Sequence, residues 1–398
     1  MKILILSPKL PFPPKDGGSV ATLNMAAGLA DAGNDITLFC LNTVKHYFPV
    51  EDIPLNIRAK IRFITVRHDT SPGFFSAVLN FLFSRKPYIA VRFRSSAFNK
   101  LLVKTLSEEK FDIIQVEGPY LSCYFRTIRK FSCAQISFRA QNVESAIWKG
   151  ISKNTSSLLK KIYLNNLSSR VLKLEKKVLS ESDLFVPITE SDCRFFLTFR
   201  KDISYHIYPT GFDTAEFEKT KGAYQYSLFF LGALDWKPNR DGLLWFLKNV
   251  WTTRGFNTKF HVAGRCAPEW LKQKLYSTEG VVFHGEIENS ADFISKYGIM
   301  ICPILTGSGI RIKILDAMLM GKTIISTRVG AEGIPVTDGE NIILCEKPED
   351  FSRKILFLEK NSACAAELGS NAKKFVIKNF NNLALCKDLC DFYRKNLK

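Results

Sequence analysis

Short runs of aliphatic and β-branched residues alternate along this chain with longer stretches of helical period, and turns rich in Gly or Pro separate them. Residues 3–6 form the first run. It leads through a Pro- and Gly-rich segment, residues 8–18, into a helix expected over about residues 19–32, which Gly33-Asn34 ends. Residues 35–41, 61–66, 113–116, 134–139 and 184–188 read as further strands with helical stretches between them. Strands alternating with helices predict a parallel sheet covered on both faces. A second cycle begins after Tyr208-Pro209-Thr210-Gly211, with strands expected at 227–231, 259–263, 280–284, 299–303, 323–326 and 341–344. The pattern therefore predicts two α/β domains meeting near residues 207–213, and a closing helix over about 383–397 whose Leu385, Leu389, Phe392 and Tyr393 can pack on a domain.

Length agrees, since 398 residues exceed one ordinary core. With 46% hydrophobic residues, 32 Phe, 12 Tyr and 5 Trp, the chain has the means to bury them and is not expected to be disordered. The net charge of +18 is lopsided. Residues 1–200 hold 29 Lys and Arg against 16 Asp and Glu, while the remainder holds 27 against 22. Such a surface attracts nucleic acid, anionic lipid or phosphorylated ligands, and composition does not choose among them. The first apolar run is too short for a secretory signal and meets Pro8 at once, so a cytoplasmic chain is expected. The longest oily run, residues 73–83, falls short of a membrane span and is broken by Ser76 and Asn80. Ten Cys and five His are scattered, with only Cys386 and Cys390 at helical spacing, so free thiols and no structural metal are expected.

In open parallel sheets ligands bind beyond the carboxyl ends of strands, so residues just after strands carry the most information. The strongest of these segments follows the strand expected at 299–303, where Gly307-Ser308-Gly309 opens a helix expected to begin at about Ile310. The glycines permit close backbone approach, and the free N–H groups of a helix start attract an anion. Arg311 and Lys313 would stand in the first turn, where cations oppose the helix dipole, an arrangement that a bound diphosphate would neutralise. Asp316, a turn later, could accept hydrogen bonds from ribose hydroxyls. A glycine-rich turn with two solvated cations is the plain alternative.

The stretch from Gly307 through Asp316 to Thr327 resembles the donor-site signature of family 4 glycosyltransferases, two acidic residues separated by seven and then Ala-Met-x-x-Gly before a hydrophobic strand. Asp316 takes the second acidic position, used on the ribose, and Ser308 stands at the first. The Gly-x-Gly-x-Arg-x-Lys form resembles a subgroup involved in cell-surface and exopolysaccharide assembly. Further islands keep the family's order. Asp16-Gly17-Gly18 looks like the loop that approaches donor phosphate and acceptor, and Phe230-Leu231-Gly232 through Gly242 looks like the opening of the donor domain. His261-Val262-Ala263-Gly264-Arg265 would supply a diphosphate contact at Arg265. Phe283-His284-Gly285-Glu286-Ile287 would read the base edge by its backbone at Gly285 and Ile287, and Gly330-Ala331-Glu332-Gly333-Ile334 would close the site. Arg139-Ala140-Gln141-Asn142-Val143-Glu144-Ser145 is similar to a family segment whose His faces the reacting sugar; Gln141 replaces that His and cannot titrate near neutral pH. Arg139 and Glu144 could instead pair within their loop.

The resemblance implies an α/β chain of two facing Rossmann-like, doubly wound parallel-sheet domains (GT-B) with an interdomain cleft: residues 1–208 on the acceptor side, 209–380 for the nucleotide-sugar donor, and 381–398 as a helix crossing back. It implies retaining transfer of a sugar from a nucleotide-diphosphate sugar to a glycan or lipid-linked acceptor in surface polysaccharide synthesis. Arg311, Lys313 and Gln141 would then be the catalytic groups; Gly17, Gly18, Arg265, Gly285, Ile287, Gly307, Ser308, Gly309 and Asp316 would bind the donor. The nucleotide sugar is a co-substrate and no cofactor or metal is called for, because side-chain cations stabilise charge on the leaving phosphate. A further stretch, residues 70–107, lacks Asp and Glu but carries Phe74, Phe75, Phe81, Phe83, Tyr88, Phe93 and Phe98 among six cations, including Arg85, Lys86, Arg92 and Arg94. This composition suits peripheral contact with an anionic membrane, at the inner face; core aromatics beside a solvated basic face would read the same. Three other functions compete: a nucleotide-sugar epimerase of the same fold, a nucleic-acid binder, for which no recognised module is present, and a non-catalytic basic binding protein with a decayed donor site.

Overall fold

The computed structural model describes residues 1–153, 155–214, 226–307 and 309–397. The chain divides into two compact units, Met1–Asp213 with Asn382–Lys398, and Thr214–Asn381.

The first unit holds a seven-stranded sheet of β1 (Lys2–Ser7), β2 (Asp35–Thr43), β3 (Ile61–His68), β4 (Ile113–Glu117), β5 (Gln135–Ala140), β6 (Leu184–Pro187) and β7 (Ser204–Tyr205). Their spatial order is β3-β2-β1-β4-β5-β6-β7, and every pairing is parallel. Because successive side chains point to opposite faces, β1 serves two cores. Leu4 and Leu6 join Phe39, Phe98, Leu102 and Ile114 on one face. Ile3 and Ile5 join Met25, Ala26 and Leu29 of the helix Gly17–Asp31 on the other, together with Cys386, Leu389, Cys390 and Tyr393 of the closing helix Asn382–Asn396. That helix is tied in by polar contacts as well: the Tyr393 hydroxyl donates to Gln115 Oε1 at 2.6 Å, and Asn34 donates to Cys390 Sγ at 3.0 Å.

The second unit repeats the plan with β8 (Leu228–Leu231), β9 (Phe260–Ala263), β10 (Val281–Phe283), β11 (Ile299–Cys302), β12 (Thr323–Ser326) and β13 (Ile343–Leu344). Their order, β10-β9-β8-β11-β12-β13, is again all parallel. Each unit is thus a Rossmann-like, doubly wound sheet, and in each the strand order reverses beside the first strand. The crevice between β1 and β4 in one unit, and between β8 and β11 in the other, is the switch point at which such sheets take ligands.

One helix starts later than its sequence predicts. After β11 the helix runs Ile312–Leu319, not from Ile310. Gly307 and Gly309 lie at φ 125° and 84°, and Arg311 at φ −87°, ψ 88° is not helical, so the turn takes two more residues. Arg311 therefore precedes the helix, and Lys313 alone of the two cations sits in its first turn.

Candidate functional site

In the second unit the predicted donor residues gather after the carboxyl ends of neighbouring strands. Gly232 follows β8, Gly264 and Arg265 follow β9, Gly285 and Ile287 follow β10, and Gly307, Gly309 and Arg311 follow β11. Ser308 lies outside the described residues. A side chain on Gly264 would run into the Gly232 carbonyl, and Gly264 N–H donates to the Gly285 carbonyl at 2.8 Å. Glycine is thus required where the β8 and β9 loops pack backbone against backbone.

At the switch point the cations are held in distinct ways. Arg311 folds back over its own loop. Its Nη1 donates to the Gly309 carbonyl, and its Nη2 lies where a Cβ on Gly307 would come within 2.9 Å. Lys313 reaches from the helix across to the β8 side, donating to Asn239 Oδ1 at 2.9 Å and standing 4.7 Å from the centre of the Phe230 ring. Asn239 is itself fixed, donating to the Ala233 carbonyl at 3.0 Å. Burial lowers the pKa of both cations, and the Arg311 charge lowers that of Lys313 further. Glu332, in the predicted closing loop, acts electrostatically on Arg311; burial raises the Glu332 carboxyl and the guanidinium opposes that rise. Burial also pushes Asp316 up to about 7. Two partly desolvated cations and an acid whose pKa burial raises make a site whose charge is completed by an anion with hydroxyl groups nearby.

In the first unit Gly18 also meets Gln141, with Gly17 just before it at the start of the helix Gly17–Asp31. Asp16 caps the helix Gly17–Asp31, accepting from Ser19 N–H at 3.0 Å, and pairs with Lys9 at 2.5 Å. Burial pushes the Asp16 carboxyl up, but the Lys9 ammonium and the Ser19 hydrogen bonds outweigh it, leaving the pKa below the usual carboxylate value. Gly18 faces Gln141, whose Oε1 would lie 2.8 Å from a Cβ there. Gln141 Nε2 donates to Glu117 Oε2 at 2.6 Å and to Thr22 Oγ1 at 2.9 Å. Arg139 does not pair with Glu144. It is fully buried and bound to Glu117, 1% exposed, at 2.8 Å, because the two residues are register partners on adjacent strands and point to the same face. Glu144 instead accepts from the Tyr120 hydroxyl at 2.7 Å.

Three residues that shape these sites carry no role in the sequence reading. Glu117 anchors Gln141, Asn239 holds Lys313, and Glu332 acts on Arg311. Strand-end position marks Glu117, and membership of the quoted islands marks Asn239 and Glu332, but the pairings need the fold. His261 on β9 and His284 just after β10 also come together at 3.0 Å; burial and the nearby His284 push His261 down to about 4. Among the described residues no group of three or more metal-ligating side chains comes together, and no helix is long and apolar enough to cross a membrane.

Fold and loops together define a two-unit Rossmann-like α/β protein with glycine-rich, cation-bearing turns at its switch points. Comparison places this class more closely. Residues 225–361 match the family model described as "Glycosyl transferases group 1". Over 96% of its length the chain is 24% identical to an uncharacterized 44.6 kDa protein in the cps region of Klebsiella pneumoniae, covering 97% of that protein. An uncharacterized glycosyltransferase of Methanocaldococcus jannaschii is 32% identical over 27% of this chain and 28% of its own. Among solved structures, sucrose-phosphate synthase from Thermosynechococcus elongatus superposes with a TM-score of 0.71 at 16% identity, covering 99% of both chains. Anabaena HepE in complex with UDP gives 0.68 at 13% identity, covering 99% of this chain and 100% of that one. The fold is the α/β, two-sheet fold of GT-B glycosyltransferases, and the stretch that matches the group 1 model lies in the second unit.

Proposed function

We propose that the protein is a retaining glycosyltransferase that takes a sugar from a nucleotide-diphosphate donor and passes it to a glycan or lipid-linked acceptor in surface polysaccharide synthesis. The observation that carries this reading is the meeting of Arg311 and Lys313 at the β8–β11 switch point, beside two glycines in left-handed geometry and one turn before Asp316. A diphosphate there is met by two cations that burial has partly stripped of water, and Asp316 is the group for the ribose hydroxyls. As the anomeric C–O bond loosens, negative charge grows on the β-phosphate, and the fixed cations stabilise it without reorganising. Gln141 Oε1, with its amide nitrogen already engaged, offers an acceptor to a sugar hydroxyl. The departing phosphate takes the acceptor's proton. The cps-region relative and the UDP complex of HepE support the class of reaction and of donor.

The test is a thermal-shift screen against UDP, GDP, ADP and CDP, followed by turnover of the matching nucleotide sugar with and without acceptor. A ligand that binds only the folded state raises the melting temperature by mass action. One nucleotide should do so, and Arg311→Ala and Asp316→Ala should each abolish the shift. No shift with any of the four sinks the proposal, and an epimerised sugar formed from the nucleotide sugar without acceptor would make it an epimerase.

A further inference from the structure

The acid-free stretch 70–107 does not behave as one face. Phe98 is fully buried against Phe39, whereas Phe74, Phe75 and Phe83 are 77, 81 and 82% exposed. These three lie on the helix Phe74–Phe83, and Val78, Leu79 and Leu82 of the same helix are exposed too. An outward apolar surface of this kind is the mark of a partner. The helix is nonetheless firmly placed. Arg170 donates to the carbonyls of Asn80 and Phe81 at 3.1 and 2.8 Å, and the Phe81 ring lies 5.7 Å from that of Tyr163.

Tyr163 and Arg170 belong to the long helix Leu158–Glu181. Residues 159, 163, 166, 170, 174, 177 and 181 follow one another at steps of three and four, so they share one face. At its start Leu159 is 81% exposed, beside exposed Leu158 and Ile162. At its end Leu174, Lys177 and Glu181 line a pocket of about 570 Å³. Lys86, three residues past the apolar helix, lines that pocket with Arg94, Arg126 and Arg129, over a floor that includes Val91 and Phe125. Glu181 is its one carboxylate. Arg129 is paired with Asp183 at 2.8 Å and Lys177 with Glu181 at 3.6 Å; Lys86, Arg94 and Arg126 form no ion pair among the described residues. Apolar ridge and cationic pocket therefore sit along one helix face, roughly 33 Å from end to end.

We propose that this face of the first unit docks on an anionic bilayer. The exposed side chains of the Phe74–Phe83 helix and of Leu158, Leu159 and Ile162 enter the acyl boundary, and the pocket takes the phosphate of an anionic phospholipid. Charge selects this occupant. A second copy of the chain would bring the same cations against these, and a neutral surface would leave Lys86, Arg94 and Arg126 without a counter-charge. The inference does not rest on the sugar-transfer reading.

It is tested by sedimenting the full chain with vesicles of equal parts phosphatidylglycerol and phosphatidylcholine, and with phosphatidylcholine alone. Binding to the anionic vesicles should be stronger by about tenfold or more. Phe75→Ser with Phe83→Ser should weaken it by about tenfold, with an unchanged melting temperature because both side chains are exposed. Arg94→Gln with Arg126→Gln should weaken binding to the anionic vesicles only. Equal binding of the wild type to both vesicles, or wild-type binding by the Phe variant, overturns the proposal. So does a concentration-dependent dimer in light scattering that the Phe variant dissociates, since a second copy would then be the occupant.

Discussion

Gln141 donates from Nε2 to Glu117 Oε2 at 2.6 Å, and that bond decides which end of the amide faces outward. Glu117 also accepts from Arg139 at 2.8 Å and from Gln115 at 2.5 Å. A flipped amide would set its oxygen against a carboxylate oxygen, so the nitrogen stays inward and Oε1 is left beside Gly18.

The same network fixes an order of stabilities. Glu117→Ala strands the guanidinium of Arg139, which is fully buried and whose Nε and Nη2 already lack partners. Losing the sole counter-charge of a buried cation should cost about 3–5 kcal/mol. Gln141→Ala removes one donor from a carboxylate that keeps others, and should cost about 1 kcal/mol. Urea unfolding of both variants reads the difference. Equal costs would mean that Arg139 finds another partner when Glu117 is gone.

Asp316 gives the donor site a pH dependence. Burial raises its carboxyl to about 7. The proton must leave before both oxygens can accept from ribose hydroxyls, so affinity for a nucleotide sugar should rise as pH climbs and level off above 7. Below 7 it should fall by up to about tenfold per pH unit. The diphosphate diester of a nucleotide sugar does not titrate in this window, so the donor adds no proton of its own. Stability runs the other way. A raised carboxyl holds its proton in the folded state while the unfolded chain has released it, so its contribution to stability falls as pH rises from about 4 to 7. Calorimetric titration from pH 5.5 to 8.5 (roughly centred on the raised value) checks the first statement. Asp316→Asn should bind weakly with a flat profile; a sloping profile in that variant would assign the proton elsewhere.

Much of this is legible without the fold. The alternation of β-branched runs with helical stretches marks twelve of the thirteen strands, because a strand buried on both faces, such as residues 3–6, has to be apolar throughout. The two-residue β7 has no such run and escapes the pattern. The loop glycines are readable as close-approach positions, since only backbone geometry demands them. Pairings are not. Nearness in sequence sets Arg139 against Glu144, whereas the register of β4 and β5 brings it to Glu117. The aromatics of residues 70–107 read as one stretch, yet Phe98, on the helix Ser96–Glu108, is buried against Phe39 of the sheet, whereas the Phe74–Phe83 helix docks on Leu158–Glu181 through Phe81 and leaves Phe75 and Phe83 outside. Composition carries the amount of apolar surface, not its direction.

Gly28 offers a sharper case of context overriding propensity. It lies inside the helix Gly17–Asp31, where replacing Gly by Ala ordinarily stabilises by up to about 1 kcal/mol. Here a Cβ would press into the Asn382 side-chain amide and lie 2.6 Å from Cys386 Sγ. Asn382 cannot simply withdraw: its Nδ2 donates to the Asn24 carbonyl at 2.6 Å, its Oδ1 accepts from the Tyr208 hydroxyl at 3.1 Å, and its backbone N–H donates to Phe212 at 2.9 Å. Gly28→Ala should therefore destabilise by about 1–3 kcal/mol, by forcing the closing helix off its seat. Gly150, in the helix Glu144–Lys153, is the control: a Cβ there would meet nothing within 4 Å, so Gly150→Ala should follow propensity with the opposite sign. Melting temperatures of the two variants settle it. A stabilising Gly28→Ala would show that the closing helix gives way at little cost, and that its buried Leu389 and Tyr393 hold it less tightly than their packing implies.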